Sequence, residues 1–209
     1  MAFTTMESVR KGKGLKPEME SAMNEHNTPE WFIDSCKKIK YMFPKGHAVA
    51  YVMMAMRIAY FKVHYPLAFY AAYLSRKAED FDYEIMGKPE SAKSHLEILS
   101  KEPKLAEMAI CEIVVEMYAR GLEFLPIDIY KSGGVKFTIE DGKIRVPLIA
   151  LAGLGGAVID NIIKEREESK FLSFEDLKRR TKVSQTIIDK LKMIKAIDSL
   201  SETNQISLF

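Results

Sequence analysis

The sequence predicts a mainly α-helical chain with one short β-hairpin between a larger helical part and a smaller one. Three observations carry that reading. Proline, glycine and asparagine punctuate helix-period apolar runs through the first 120 residues. Strict apolar/polar alternation appears once, around Asp141-Gly142, and two closely spaced turn-then-helix segments follow it. At 209 residues and 47% hydrophobic content, the chain can bury a core in one large or two small domains.

The N-terminal stretch reads as three short helices, FTTMESVRKGKG, PEMESAMNEHN and PEWFIDSCKKIKYMF. Pro17 and Pro29 sit where a first turn begins, and Gly12, Gly14 and Asn27 where helices stop. Glu18, Glu20, Glu30 and Asp34 fall near helix starts, and Lys37, Lys38 and Lys40 near the third helix's end, which suits the helix dipole. Pro44 opens a long helix to about His64 and Pro66 another to about Ala78. The run AVAYVMMAMRIAYF, Ala48 to Phe61, is interrupted by Arg57 and is about 14 residues long, against roughly 20 for a bilayer span. It is therefore expected to be a buried helix.

From Glu79 to Arg120 the chain turns acidic and helical again, with KLAEMAICEIVVEMYARG giving an amphipathic face that Gly121 terminates. VKFTIEDGKIRVPLI then gives two strands around a two-residue turn. From about Pro147 to Ser201 the pattern is a helix, a GLGG turn, a helix from Val158 to Glu168, a short helix capped by Ser173, and another capped by Ser184. The segments around Gly153 to Gly156 and Lys182 to Gln185 read as a degenerate duplication.

The formal charge of +2 is too mild to mark a nucleic-acid binder, but it is unevenly spread. Residues 1–65 carry ten Lys/Arg against six Asp/Glu, residues 66–147 eleven against fourteen, and residues 148–209 ten against nine, so any basic surface lies mainly in the first third. Cys36 and Cys111 form neither a disulfide framework nor a zinc ribbon, and the N-terminus lacks a secretory h-region. A reducing cytoplasm is the expected location. The four histidines have no metal-like spacing, and no catalytic residues or metal ligands are assigned.

Three features can carry chemistry. In LAGLGGAVIDNIIKERE, Gly153, Leu154, Gly155 and Gly156 have the makings of a helix-hairpin-helix: glycines let the backbone approach a phosphate, and the following helix offers its first amides. Leu154 is the hairpin's plug, and a tight corner between packed helices is the plain alternative. TKVSQTIIDKLKMI supplies a weaker second unit, with Val183 as plug and Lys182 and Ser184 beside it; Lys164 and Arg166 complete the DNA-backbone set. Second, His47, Tyr51 and Arg57 share one broad side of a helix at 100° per residue, with Lys45 at its entrance, a donor set suited to a triphosphate. On an otherwise apolar helix such residues are equally readable as satisfied core residues. Third, RKGKG, with Arg10, Lys11 and Lys13, and CKKIK are either backbone-gripping runs or solvated faces.

MESVRKGKGL and PEWFIDSCKKIKYMFPKGHAVAYVMMAMRIAYFKVHYPLAFYAAYLSRKAEDFD closely resemble the fingers of the bacterial DNA polymerase III alpha subunit family, in its PolC form. PIDIYKSGGVKFTIEDGKIRVPLIALAGLGGAVIDNIIKEREE and FLSFEDLKRR resemble that family's duplex-binding region with tandem helix-hairpin-helix motifs. The resemblance implies residues 1–120 as a helical fingers segment, 121–203 as β-hairpin plus tandem helix-hairpin-helix domain, and 204–209 as a tail. It implies deoxynucleoside triphosphate binding by Lys45, His47, Tyr51 and Arg57, with Arg10 and Lys13 near nucleotide or template. Magnesium and the catalytic aspartates belong to a palm that this chain does not match, so the chain alone is expected to be inactive. Primer-template duplex DNA, the remaining polymerase domains and a sliding clamp are the implied partners.

Gln205, Ser207, Leu208 and Phe209 resemble the family's Q-x-S-L-F clamp-binding peptide, in which two apolar side chains fill a pocket. The other main branch of the family continues into an oligonucleotide-binding barrel; an end shortly after Ser201 is expected of the PolC branch, and the beginning MAFTTMESV resembles a cut inside a domain. Gly46 replaces a common alanine and loosens the helix start by up to about 1 kcal/mol. The linker from Gly87 to Pro103 matches no pattern of the family and is assigned no role. A free-standing helix-hairpin-helix DNA-binding protein and a purely structural interaction module are the competing readings.

Overall fold

The computed structural model describes residues 1–202. Its contacts divide the chain into two compact units, residues 1–59 and 60–209. The division falls within a helix rather than at the expected 120/121 boundary.

The first unit contains α1 (Ala2–Arg10), α2 (Pro17–Glu25), α3 (Glu30–Lys38) and most of α4 (Lys45–His64). Pro17 opens α2 at its first turn. The stops follow from backbone chemistry. At the end of α1, Gly12 takes φ +72°, its amide donates to Val9 O, and Lys13 N donates to Ser8 O. At the end of α2, Asn27 takes φ +53°, its amide donates to Asn24 O, and Thr28 N donates to Met23 O. Both are Schellman caps, satisfying carbonyls that the helix leaves unpaired. The core of this unit is thin: Val9, Met19, Ile33 and Cys36 are its buried apolar residues.

The expected burial of Ala48 to Phe61 is overturned, because no residue of α4 is buried. Val49, Met53, Met56 and Ile58 are all more than half exposed. Periodicity and hydropathy select helix, but burial also requires a surface to pack on.

The second unit begins with the last turn of α4 and α5 (Pro66–Arg76), then a 3-10 turn at Ala78–Asp80, α6 (Tyr83–Met86), α7 (Pro89–Lys101) and α8 (Leu105–Ala119). The linker from Gly87 to Pro103 is occupied by α7, within the stretch read as helical. It packs on α8, burying Ala92 and Leu99, and Cys111 Sγ donates to Ala92 O at 3.2 Å. Gly121 stops α8 with φ +75°, while Leu122 N reaches back to Met117 O, a third Schellman cap.

The sheet is small. β2 (Thr138–Glu140) and β3 (Lys143–Arg145) are antiparallel around Asp141 and Gly142, both at positive φ as a type I′ turn requires. β1 (Phe124–Leu125) adds in parallel to the other side of β3. The remaining elements are a 3-10 turn at Leu148–Ala150, α9 (Gly156–Glu168), α10 (Phe174–Thr181) and α11 (Gln185–Met193).

One continuous core runs through this unit, from Tyr70 and Leu74 of α5 through Ile110, Val114 and Met117 of α8 to Ile159, Ile162, Leu177 and Leu191. Burying each such large side chain contributes about 1.5–3 kcal/mol. Polar stitches fix the loop before β2. Ser132 Oγ donates to Val146 O at 2.7 Å and accepts from Asp128 N at 2.9 Å. Gly134 lies so close to α9 that a Cβ there would stand 2.8 Å from Ile163 Cδ1. The loop and β-hairpin therefore form a fixed floor beneath α9.

Candidate nucleic-acid interface

Two turns in the second unit share one backbone recipe. In the first, Gly153 takes φ +91°, Leu154 is 4% exposed, and Gly155 caps α9 with φ −77° and ψ 154°. In the second, Lys182 takes φ +62°, Val183 is 2% exposed, and Ser184 caps α11 with φ −74° and ψ 159°. A left-handed residue reverses the chain, an apolar plug anchors the reversal, and an extended cap launches the next helix. The duplication read from sequence is thus a duplication of dihedral angles.

Leu154 and Val183 do what plugs must do, holding the turn to the core while the glycines around Leu154 stay exposed. A Cβ on Gly155 or Gly156 would meet open space. No side chain caps α9, whereas Ser184 Oγ accepts from Ile187 N at 3.4 Å in α11. The α9 start therefore leaves its first amides, at the positive end of a dipole, free for an approaching anion, while at the α11 start Ser184 already takes the Ile187 amide. Lys182 and Lys164 are exposed.

Arg166 leaves the predicted phosphate-facing set. Its Nη1 donates to Ile129 O and Ser132 O, each at 2.8 Å, and burial lowers its pKa. It is a rivet between α9 and the loop before β2. Arg180 is committed likewise: its Nε pairs with Glu165 at 2.9 Å, and its guanidinium lies over the Phe171 ring. Burial pushes the Asp176 carboxyl upward, but hydrogen bonds from Arg179, Leu172 N and Arg180 outweigh this and hold its pKa below 3.8.

Sequence inspection missed the strut joining the two turns. Lys190 Nζ, on α11, donates to Ala152 O at 3.2 Å in the first turn and pairs with Glu84 at 3.1 Å. Ile187 Cδ1 stands 3.4 Å from the position a Cβ on Gly153 would take. The i, i+3 spacing of Ile187 and Lys190 was the available signal. A cleft of about 350 Å³ beside the first turn is lined by Glu79, Asp80 and Asp82. Gly153, Leu154 and Gly155 line the same cleft, so an anion reaching the turn from this side meets those carboxylates, while Gly156 lies outside the cleft lining.

The predicted nucleotide residues are only partly assembled. His47 and Tyr51 rings pair at 4.5 Å, and Phe43 lies 4.8 Å from His47. All are exposed, so the core-residue alternative for His47 and Tyr51 fails. Lys45 opens α4 and, at 100° per residue, lies on the other side of the helix from His47. Arg57 is exposed farther along α4. Arg10 forks onto Glu7 at 2.7 and 3.0 Å, holding that carboxyl at about 2. Lys13 is exposed. The two basic runs meet through backbone: Met42 N donates to Arg10 O, and Gly12 lies against Lys40 O where no Cβ fits.

Gln205, Ser207, Leu208 and Phe209 lie outside the described residues. Among the described residues, no group of three or more His, Cys, Asp or Glu is placed to hold a metal ion. No helix among them is long and apolar enough to cross a membrane.

Comparison with known proteins agrees with this geometry. A helix-hairpin-helix motif family model matches residues 121–206. The whole chain is 51% identical to a segment of the PolC-type DNA polymerase III of Clostridium perfringens, covering 15% of that protein. It is 51% identical to the Thermotoga maritima PolC-type polymerase, covering 16% of it, and 47% identical to that of Bacillus subtilis, covering 15%. The chain thus carries a helix-hairpin-helix motif and is homologous over its full length to about one seventh of these relatives.

Proposed function

We propose that this chain serves as the duplex-holding and nucleotide-facing part of a replicative DNA polymerase, gripping DNA by its backbone through two helix-hairpin-helix turns. The repeated turn carries the reading: two exposed helix starts are each preceded by a left-handed residue and a buried plug. Such a surface contacts phosphates and reads no bases, as a replicative enzyme requires. In this reading Lys164 and Lys182 neutralise phosphates, while Lys190 holds the two turns at fixed spacing.

Within the same reading, α4 serves the incoming deoxynucleoside triphosphate. The observation favouring this is the exposed ring series Phe43, His47 and Tyr51 along one side of the helix. His47 and Tyr51 offer donors to phosphate or an edge to the base. The tail from Gln205 to Phe209 attaches the chain to a sliding clamp. Nucleotidyl transfer itself, with magnesium, belongs to polypeptide outside this chain, and the chain alone is inactive.

Anisotropy titrations with labelled duplexes of unrelated sequence test the central point. The expected result is equal affinity across sequences, falling with salt, and weakened by Lys164→Glu with Lys182→Glu. Affinity indifferent to salt and to both charge reversals leaves a structural interaction module instead.

A further inference from the structure

The α4 helix is apolar on every side and buries none of its residues. Ten of its large apolar side chains, from Val49 to Val63, are at least half exposed. Summed around all sides of the helix, they present on the order of 1,000 Å² of apolar surface, more than the few hundred that a monomer ordinarily leaves exposed.

Val49, Val52, Met53 and Met56 follow i, i+3, i+4, i+7 along one side of the helix, with exposures of 55%, 58%, 51% and 67%, while Tyr51, Met54, Ile58 and Phe61 line the other side. His47 and Tyr51 fall on the opposite side. Lys45 is one turn before Val49 and Arg57 one turn after Met53, so cations flank the stripe at both ends, and α4 contains no Asp or Glu. A second copy laid on this stripe would set those cations against their equivalents. The relatives, meanwhile, are about seven times longer than this chain and hold its homologous segment within one polypeptide.

We propose that the Val49, Val52, Met53 and Met56 side of α4 docks into an apolar, acid-rimmed groove supplied by the part of a PolC-type polymerase outside this chain. The inference rests on the polymerase reading above and deepens it. Docking there leaves the His47 and Tyr51 side uncovered, so one helix can be an internal strut on one side and a ligand wall on the other.

The test mixes the 209-residue chain with the Clostridium perfringens PolC-type polymerase from which the matching segment has been deleted. Binding is followed by calorimetry and α4 by amide hydrogen exchange. The expected result is association with slowed exchange across α4, an affinity loss of about tenfold or more in M53E/M56E, and retention of affinity in M56L. Far-UV circular dichroism and duplex affinity of M53E/M56E should match the parent, showing that it folds. Equal affinity of parent and M53E/M56E overturns the docking surface alone. Concentration-dependent self-association of the chain that M53E/M56E abolishes, or slowing of α4 exchange by duplex DNA instead, assigns the stripe to another occupant and also overturns it. No association, with duplex binding intact, overturns the docking and leaves the duplex-holding reading standing; loss of duplex binding as well overturns both.

Discussion

Helices α4 and α8 are both built mainly from Ala, Val, Ile, Met and Tyr, yet they have opposite fates. In α8, Ile110, Cys111, Val114 and Met117 are 0–1% exposed, with α5 and α7 packed against the helix. In α4 nothing is buried. Composition selects the helix in both cases; neighbours decide its burial. The charges already differ: α8 carries Glu107, Glu112 and Glu116, while α4 carries only basic residues.

The sharpest break of this comparison is a matched pair of substitutions. Val114→Asp sets an unpaired carboxylate in the core and should cost at least about 3 kcal/mol, enough to unfold the second unit in urea titrations. Met56→Asp, at 67% exposure, should stay within about 0.5 kcal/mol of the parent. Comparable losses would mean that α4 is packed in the free chain.

Next in size is the rivet. Arg166→Ala strips the Ile129 and Ser132 carbonyls of their donor and should cost about 2–3 kcal/mol. A loss of DNA affinity with unchanged stability would return Arg166 to the phosphate-facing set. Gly153→Ala forces a Cβ into a left-handed conformation and against Ile187, for about 1–2 kcal/mol. Lys182→Gly relieves the corresponding strain, so stability should change by less than about 1 kcal/mol while the salt slope of DNA binding falls by about one phosphate contact.

The smallest effect is acid sensitivity. The Asp176 carboxyl has a folded pKa below its ordinary 3.8, so its stabilisation is complete above about pH 5 and disappears as pH falls through 3.8 to the folded value. Asp176→Asn should flatten that part of a stability-versus-pH curve, measured by urea titrations from pH 6 to pH 2.5.

Much of the second unit was legible in the sequence, because turns there are written in residues with few alternatives. Gly121, Asp141-Gly142, Ser173 and Ser184 each serve as read. Lys182 and Lys195 sit left-handed with no propensity signal, since lysine adopts that conformation only when packing imposes it. Strand β1 spans two residues, too short for periodicity to register, and its parallel pairing depends on distant chain. The helical reading of Glu79 to Arg120 covered α7 without marking it off as a helix of its own, although Ala92 and Leu99, seven residues apart, share its buried face. The site divided in the same way: glycines and plugs were readable, but spacing could not show that Arg166 points into the loop before β2 or that Lys190 spans the two turns.

The central claim is that two turns of one geometry hold one duplex. Amide chemical shifts of the isotope-labelled chain, followed during titration with a short duplex, test it most directly. Gly155, Gly156, Ser184 and Gln185 should move together with a single dissociation constant that weakens as salt rises. Movement of only one pair, or of neither while the duplex binds elsewhere, would contradict the account.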